Sequence, residues 1–591
     1  MRRLILLAAA VLLLSGCSPR PARPADTCQV VLEESDAFTA DNPVQTVVRG
    51  ENVTFTLHPA QGCTLTGSDY PGARLEPAAD GYTLTLEGVR YPAVVTVTAR
   101  KSDTAFVCHA NDGTDVTSTQ AVLPTHTQLN TPAAGLFARE GYTQTGWSTT
   151  PDVTGQTVVQ GGRVDPNGRK TLDLYAQWQP WTDAADFTWR LEGEGAVITG
   201  CDSTGAVLAV PAELDGHPVT ALAAGALDGL PCREIVLPQG LARLEEGAIR
   251  NCDSLTTLTL FDDLTSLHAD AVQDCPNLQT LRLQAATAPK YSGGYFATFA
   301  DKYDRLLALR QQKKLVLFSG SSTRFGYDSA LLDQALPDYQ VVNMGVFAYT
   351  NATPQLLLIL DCMQAGDILL DSPEFDAAQR QFCTTDKLDD SFFCLMEANY
   401  QMLAALDLRQ TSGAFAALGE YLTNRAALPD KSYDLSPADF DEDGNPTDTP
   451  SYNQYGDYCL YRPNAADDAP VYGLAVEYTT HGLPADQFAT PLNAMYRRFL
   501  DKGVQVFFTY APRNSQALSD NSTPEARAEL DQSLRQNLCV PVLGTVEDSL
   551  WPGRYLYGTD NHLSTEGATL RTRQVLNWLK VWLGDEVLLP D

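Results

Sequence analysis

A repeat of about 23 residues in the middle of the chain constrains its fold more than any other feature. Leu222, Leu244 and Leu267 are each followed four residues later by an alanine, and each alanine is followed by a short apolar strand. A unit of this size cannot bury its apolar face alone, so successive units must stack against one another. The spacing therefore predicts a solenoid with strands at residues 235–237, 258–260 and 281–283.

The repeat region covers residues 185–287, and its segments VPAELDGHPVTAL and LPQGLARLEEGAI resemble the BspA-type leucine-rich repeat. Cys252 and Cys275 occupy equivalent positions in successive repeats, which predicts a ladder of free thiols rather than a disulfide. Because the repeats are few, their concave face is small. The region is either a spacer or a docking module for a glycan or a surface-protein ligand, and both alternatives stay open.

A β-rich segment at residues 28–101 begins the folded part of the chain. Its runs NVTFTLHP and AVVTVTAR alternate apolar and polar residues, which is typical of a small β-sandwich-like module. The chain has 13 cysteines, which leaves an even number when Cys17 is set aside. Disulfides are compatible with an exported chain, and Cys28 with Cys63 is a candidate pair, although the pairing cannot be deduced from sequence.

A second β-rich segment, residues 104–179, contains FAREGYTQTGWSTTPDVTG and ends in YAQW. With Gly141, Gly146 and Trp147 at their places, it resembles the internalin-B-type repeat, also called the Listeria–Bacteroides repeat. Trp147 and Trp178 supply large apolar areas for a very small core. A core role for these aromatics is favoured over the alternative, a surface on which glycans stack.

The N-terminus predicts export and a lipid anchor. Arg2 and Arg3 precede an apolar run at residues 4–14, which is too short to span a membrane. The following Leu-Ser-Gly-Cys resembles the lipobox of bacterial lipoproteins. The resemblance implies a signal peptide at residues 1–16, lipidation of Cys17, a linker at residues 17–27 and an extracytoplasmic protein anchored to the bacterial cell membrane. The alternative is an ordinary secreted protein with an incidental cysteine.

Composition narrows the classes of partner. The formal net charge of −32 argues against nucleic-acid binding. No Cys/His cluster has zinc-ligand spacing, so we expect no metal. The chemistry expected of the C-terminal domain, described below, needs no cofactor. The stretch DFDEDGNPTDT at residues 439–449 imitates half of an EF-hand loop but has proline at the twelfth position, so a solvated acidic loop is favoured.

From about residue 290 to residue 591, apolar strands alternate with helices. We expect strands at 315–318, 340–344, 367–371, 504–510 and 540–543, with helices at 299–312, 353–364, 486–502, 523–535 and 564–583. This order predicts a three-layer α/β domain with a parallel sheet. The whole chain is thus expected to be multidomain: small all-β modules, a short leucine-rich-repeat solenoid and a C-terminal α/β domain.

Three segments of this domain carry candidate chemistry, namely Gly320-Ser321-Ser322, Asn343-Met344-Gly345 and the stretch from Asp560 to Ser564. Each is expected at the end of a strand or just before a helix, where ligands of open α/β sheets bind. A serine needs a neighbouring base to become a nucleophile, and His562 is the histidine in the last eighty residues.

With these segments the domain resembles the SGNH/GDSL hydrolase superfamily, whose fold is flavodoxin-like, and a divergent branch associated with envelope acylation. The resemblance implies Ser322 as nucleophile, His562 as base, Asp560 as the residue that orients it, and the amides of Ser322 and Gly345 as oxyanion donors. The Gly-x-Asn-Asp block of the family is replaced by Ser372-Pro373-Glu374-Phe375, and Asp560 stands two rather than three residues before the histidine.

Three further residues are candidates for the same site. Glu374 is an alternative orienting or acidic group, and Asn343 belongs to the second block. Arg513 follows a strand and is a candidate for contact with an anionic substrate, but a surface arginine is favoured. The expected function is an esterase or acyltransferase that forms a serine acyl-enzyme with an acylated envelope or extracellular glycan. The alternative is a non-catalytic surface adhesion protein with a degenerate hydrolase domain.

Overall fold

The computed structural model describes residues 27–589, except 34, 36, 61–62, 71–72, 79–80, 102–103, 123–128, 167–168, 292–295, 375–382, 429–438, 441–445 and 448–451. The predicted signal peptide and Cys17 lie outside the described residues, as does most of the acidic stretch at 439–449. The chain divides into two compact units, residues 1–101 and 102–591. Among the helices described, none is both long and apolar enough to cross a membrane.

The first unit is all β. Val30, Phe55, Leu57 and Leu84 alternate with exposed residues along their strands and meet in one core. The Cys28–Cys63 disulfide is not formed, since both thiols are free. The strands are β1 (Thr27–Leu32), β2 (Phe38–Ala40), β3 (Val44–Val48), β4 (Glu51–Pro59), β5 (Cys63–Ser68), β6 (Arg74–Ala78), β7 (Gly81–Val89), β8 (Ala93–Val95) and β9 (Val97–Lys101).

The second unit starts with a five-stranded sheet in the order β11-β10-β16-β13-β14 and a β12–β15 pair. Trp147 is fully buried at the centre of this small core, and its indole N–H donates to the Pro132 carbonyl at 3.0 Å. The strands are β10 (Thr104–His109), β11 (Thr117–Val122), β12 (Leu129–Asn130), β13 (Tyr142–Ser148), β14 (Thr157–Val158), β15 (Arg163–Val164) and β16 (Thr171–Pro180).

The repeat region forms a solenoid of parallel ladders. Ile235 pairs in register with Leu258, and Leu258 with Leu281, which is the 23-residue spacing of the sequence. Cys252 and Cys275 are free thiols. The strands are β17 (Phe187–Glu192), β18 (Gly195–Cys201), β19 (Val207–Ala209), β20 (Glu213–Leu214), β21 (His217–Leu222), β22 (Leu227–Asp228), β23 (Glu234–Val236), β24 (Arg243–Leu244), β25 (Ile249–Arg250), β26 (Thr257–Phe261), β27 (Ser266–Leu267), β28 (Val272–Gln273) and β29 (Thr280–Gln284).

The C-terminal region contains a five-stranded parallel sheet in the order β31-β30-β32-β35-β37. Numbered within the sheet this is 2-1-3-4-5, a doubly wound order in which ligands bind at the carboxyl ends of the strands next to the switch point. The strands are β30 (Lys314–Phe318), β31 (Gln340–Asn343), β32 (Ile368–Asp371), β35 (Gln505–Thr509) and β37 (Val542–Leu543); short pairs are β33 (Asp439–Phe440) with β34 (Pro446–Thr447) and β36 (Arg513–Asn514) with β38 (Leu550–Trp551).

Helices cover both faces of this sheet, as the alternation of buried residues shows. Leu315 and Leu317 pack with α3 and α10, whereas Val316 and Phe318 pack with α1, α4 and α8. The helices are α1 (Ala297–Ala308), α2 (Ser321–Arg324), α3 (Ser329–Ala335), α4 (Ala352–Cys362), α5 (Asp390–Met396), α6 (Gln401–Ala405), α7 (Ala414–Ala426), α8 (Ala489–Asp501), α9 (Pro524–Asn537) and α10 (Thr565–Leu583).

Two buried ionic junctions join the β modules of the second unit to its α/β part. Arg425 of α7 is 2.9 Å from a carboxylate oxygen of Asp262, in the solenoid, and 2.7 Å from one of Glu397. Arg163 of β15 forms ion pairs with Asp301 and Asp304 of α1. These charges are compensated where they are buried, as buried charges must be. The repeats therefore pack directly on the α/β part.

Candidate functional site

The site begins where β30 ends and the chain turns tightly into the short helix α2. Gly320 lies so close to the loop after β31 that a Cβ there would be 2.4 Å from the Ala348 side chain. Gly345 is equally constrained, because its Cβ would lie 2.6 Å from the Arg324 backbone nitrogen. Glycine at both positions allows the carboxyl ends of β30 and β31 to approach each other.

The serine that contacts the histidine is Ser321. Its Oγ lies 2.7 Å from Nε2 of His562, and its side chain is partly accessible. Ser322, the next residue, is fully buried, and its hydroxyl has no hydrogen-bond partner in the described part of the chain. The predicted pairing of Ser322 with His562 is therefore corrected to Ser321. One residue further along a helical turn rotates the side chain by about 100°, away from the imidazole.

His562 is buried, with an aromatic ring against its face and two guanidinium groups nearby. Its ring stacks on Phe325 at 4.3 Å, and its backbone N–H donates to the Thr559 hydroxyl at 2.9 Å. Burial lowers the pKa of His562 well below the ordinary value of 6.5, and the nearby guanidinium groups of Arg324 and Arg462 lower that pKa further. The imidazole is therefore neutral near pH 7 and can accept a proton from Ser321.

Asp560 does not orient the histidine, contrary to the prediction. One of its carboxylate oxygens accepts from the Val471 backbone N–H at 2.8 Å and the Asn514 side chain at 3.1 Å; the other accepts from the Tyr472 backbone N–H at 3.3 Å. Among the described residues, Nδ1 of His562 has no hydrogen-bond partner. The Asp560 carboxylate thus anchors the loop to the Val471–Tyr472 backbone.

The two predicted oxyanion donors are engaged within the protein. The Gly345 amide donates to Oδ1 of Asn343 at 2.9 Å, and the Ser322 amide donates to Oε1 of Glu374 at 2.8 Å. Asn343 also donates to the Thr323 carbonyl and to Asp457, so it fastens the loop after β31 to helix α2. Asn343 is thus a positioning residue, and Gly345 as found does not present its amide to a substrate.

Glu374 lies inside the site, next to the serine turn. It is 3% exposed, and its second carboxylate oxygen accepts from the side-chain amide of Asn561. Arg513, in contrast, is buried and donates to the Leu474 carbonyl. Arg513 is therefore not the surface arginine that the sequence favours.

Sequence reasoning missed three residues that shape the site. Asn561 stands beside His562 in the sequence, which is the signal that could have singled it out. Lys302 donates to the Gly345 carbonyl, and buried Asp457 accepts from the Ser329 hydroxyl at 2.6 Å and from Asn343 at 2.8 Å. Nothing in the pattern around Lys302 or Asp457 distinguishes them from surface residues. Within the described ranges, no group of three or more His, Cys, Asp or Glu residues could hold a metal.

No family model matches the chain, and a search of the curated proteins finds no match. Among solved structures, the leucine-rich repeat protein of T. pallidum is similar over 32% of this chain and 71% of that one, with 16% sequence identity and a TM-score of 0.15.

Proposed function

We propose that this protein is a serine esterase or acyltransferase in which Ser321 is the nucleophile and His562 the general base. The observation that carries the proposal is the 2.7 Å contact between Ser321 Oγ and His562 Nε2 at the carboxyl end of β30. A hydroxyl within hydrogen-bond reach of a neutral imidazole is the arrangement that activates serine. The sequence resemblance to SGNH/GDSL hydrolases and the doubly wound sheet support the same reaction class.

The reaction has two steps. His562 takes the proton of Ser321 as Oγ attacks the ester carbonyl carbon, and the carbonyl oxygen becomes an oxyanion. The oxyanion collapses, the ester bond breaks, and His562 gives the proton to the leaving alkoxide. Water or an acceptor hydroxyl then attacks the acyl-enzyme with His562 again as base, which restores Ser321.

The substrate class follows from the expected location. The lipobox-like Leu-Ser-Gly-Cys implies lipidation of Cys17 and attachment to the outer side of a bacterial cell membrane. An acylated envelope or extracellular glycan is the ester that such an enzyme would meet. The exposed faces of the internalin-B-type and leucine-rich repeats are then available for a glycan or a surface protein.

The alternative is a non-catalytic surface binding protein. It is favoured by one observation: Nδ1 of His562 has no carboxylate partner among the described residues. In a serine triad that partner fixes the imidazole and stabilises its protonated form, and its loss costs about ten-thousandfold in kcat.

Labelling with a fluorophosphonate probe separates the two. We expect the wild-type chain to be labelled at Ser321, identified by peptide mass spectrometry, and Ser321→Ala and His562→Ala to be unlabelled. Ser322→Ala is the matched control, because it removes a neighbouring buried hydroxyl, and it should label like the wild type. Labelling of Ser321→Ala at the rate of a labelled wild type would reject Ser321 as the nucleophile.

A further inference from the structure

The carboxylate of Glu374 is bound like an anionic ligand beside the serine. The Ser322 backbone N–H donates to one of its oxygens at 2.8 Å, and the Asn561 side-chain amide donates to the other. One donor belongs to the residue after Ser321 and the other to the residue before His562. The two donors therefore converge on a negative charge where the serine and the histidine meet.

The orientation of the Asn561 amide is fixed from behind. Its Oδ1 accepts from the Thr559 hydroxyl at 2.8 Å, and the same hydroxyl accepts from the backbone N–H groups of Asn561 and His562. Because Oδ1 is occupied, Nδ2 faces Glu374. An amide held in this way is pre-organised, and pre-organised donors stabilise a developing oxyanion without reorganisation.

A buried cation adds to the positive potential at this point. Arg571 is 2% exposed, and its guanidinium and the Glu374 carboxylate lie close enough to attract each other. The same guanidinium donates to the Tyr510 carbonyl at 3.1 Å and the Ser372 hydroxyl at 3.3 Å, which fixes its place. Two N–H donors and one buried charge thus favour an anion beside Ser321.

We propose that the Ser322 amide and the Asn561 side chain are the oxyanion donors of this enzyme, and that Glu374 occupies them until substrate displaces it. In strand–turn–helix sites, the backbone N–H of the residue after the nucleophile is a common oxyanion donor. Asn561 would then supply the side-chain amide that the Gly-x-Asn-Asp block supplies in the SGNH/GDSL family. This inference rests on the proposed serine chemistry and adds to it a resident anion that keeps the unoccupied site inactive.

Because Glu374 occupies the two donors, substitutions of Glu374 and of Asn561 should change the rate in opposite directions. Glu374→Gln removes the negative charge at nearly constant volume, so the donors are released to a substrate carbonyl. We expect kcat/KM for p-nitrophenyl acetate, and the rate of fluorophosphonate labelling, to rise at least tenfold. Asn561→Asp replaces a donor by an acceptor, and we expect kcat to fall about a hundredfold with little change in KM, since an oxyanion donor acts mainly in the transition state.

The experiment measures kcat and KM for p-nitrophenyl acetate and the rate of fluorophosphonate labelling. Each is measured on the full chain for the wild type, Glu374→Gln, Asn561→Asp and Asn561→Ala. Exposed Glu525→Gln and Asn537→Asp are the matched controls and should behave like the wild type. Thermal melting checks that each variant is folded, and Asn561→Ala gives a second test if the new carboxylate of Asn561→Asp disturbs Glu374.

The outcomes separate this inference from the proposed function. Labelling at Ser321 that is at least tenfold faster in Glu374→Gln than in the wild type would support both. Labelling of the wild type at Ser321, with all three site variants within threefold of it, would overturn the inference alone. Loss of activity in Glu374→Gln would also overturn it, because Glu374 would then assist the reaction. If neither the wild type nor Glu374→Gln reacts at Ser321, both proposals fall.

Discussion

The two ionic junctions and the corner formed by Ser321, Ser322 and His562 are both buried and polar. They differ in whether their polar groups have partners. At the junctions, each arginine contacts two acidic side chains, and Asp262 also accepts from the Tyr400 hydroxyl at 3.0 Å. In the corner, Ser322 Oγ and His562 Nδ1 have no partner within the described chain. A satisfied network specifies and stabilises a structure, whereas a buried polar group without a partner is uncommon in folded proteins and is one sign of a binding or catalytic site.

The largest effect should come from the corner. Ser321→Ala removes the only group that we assign as nucleophile, and we expect kcat for ester hydrolysis to fall about a thousandfold or more. Ser322→Ala should change kcat by less than about tenfold, because that hydroxyl is buried and makes no hydrogen bond with the described residues. Steady-state hydrolysis of p-nitrophenyl acetate measures both. If Ser322→Ala were the more damaging substitution, the comparison would be reversed.

The next effect should come from a junction. Arg425→Ala leaves Asp262 and Glu397 buried without their cation, so we expect the free energy of unfolding to fall by about 3–5 kcal/mol. Burial is the main cause that raises the pKa of Asp262 to about 7, and the charge of Arg425 opposes that rise. The exposed pair Arg310–Asp361 is the control, and Arg310→Ala should cost less than about 1 kcal/mol. Urea unfolding followed by circular dichroism measures both, and equal losses would contradict the assignment.

A substitution of Asp560 tests whether this residue takes part in catalysis or only stabilises the loop. If it only anchors the loop, Asp560→Asn should lower kcat by less than about tenfold and the free energy of unfolding by about 1–3 kcal/mol, since the three N–H groups that donate to the carboxylate lose their charged partner. If it were the third member of a triad, kcat would fall about ten-thousandfold. A kcat measurement together with a melting curve distinguishes these outcomes.

The contrast also explains what could be predicted from the sequence. The strand and helix positions of the α/β part follow from apolar periodicity, and β30, predicted at 315–318, is found at Lys314–Phe318. Solenoid strands follow from the 23-residue spacing in the same way. Periodicity reports which side of an element is buried. It could not decide between Ser321 and Ser322, because that choice depends on how the helix after the turn is rotated.

The positions of the acidic groups were beyond the sequence for a related reason. Asp560 is near His562 along the chain, and Glu374 follows the strand next to the one that precedes Ser321. From either position a carboxylate can reach in several directions. Asp560 turns to the Val471–Tyr472 backbone, and Glu374 turns to the Ser322 amide. Both choices are made by backbone N–H groups of distant segments, which leave no pattern in the sequence.

The pH dependence should show the smallest effect and should come from His562. Its pKa is lowered well below 6.5 by burial and by Arg324 and Arg462, so the base stays unprotonated and kcat/KM should be constant from about pH 8 down to about pH 6.5. The unfolded chain takes up a proton near pH 6.5 where the folded chain does not. The stabilisation due to this depressed pKa is therefore fully present above pH 6.5 and declines as the pH falls toward the folded-state pKa. Rate profiles test the first statement, and urea unfolding of wild type against His562→Gln tests the second. An acidic limb of kcat/KM with an apparent pKa of 6.5 or higher would mean that the imidazole is solvated. The buried histidine without a carboxylate partner, which distinguishes this corner from the junctions, would then be contradicted.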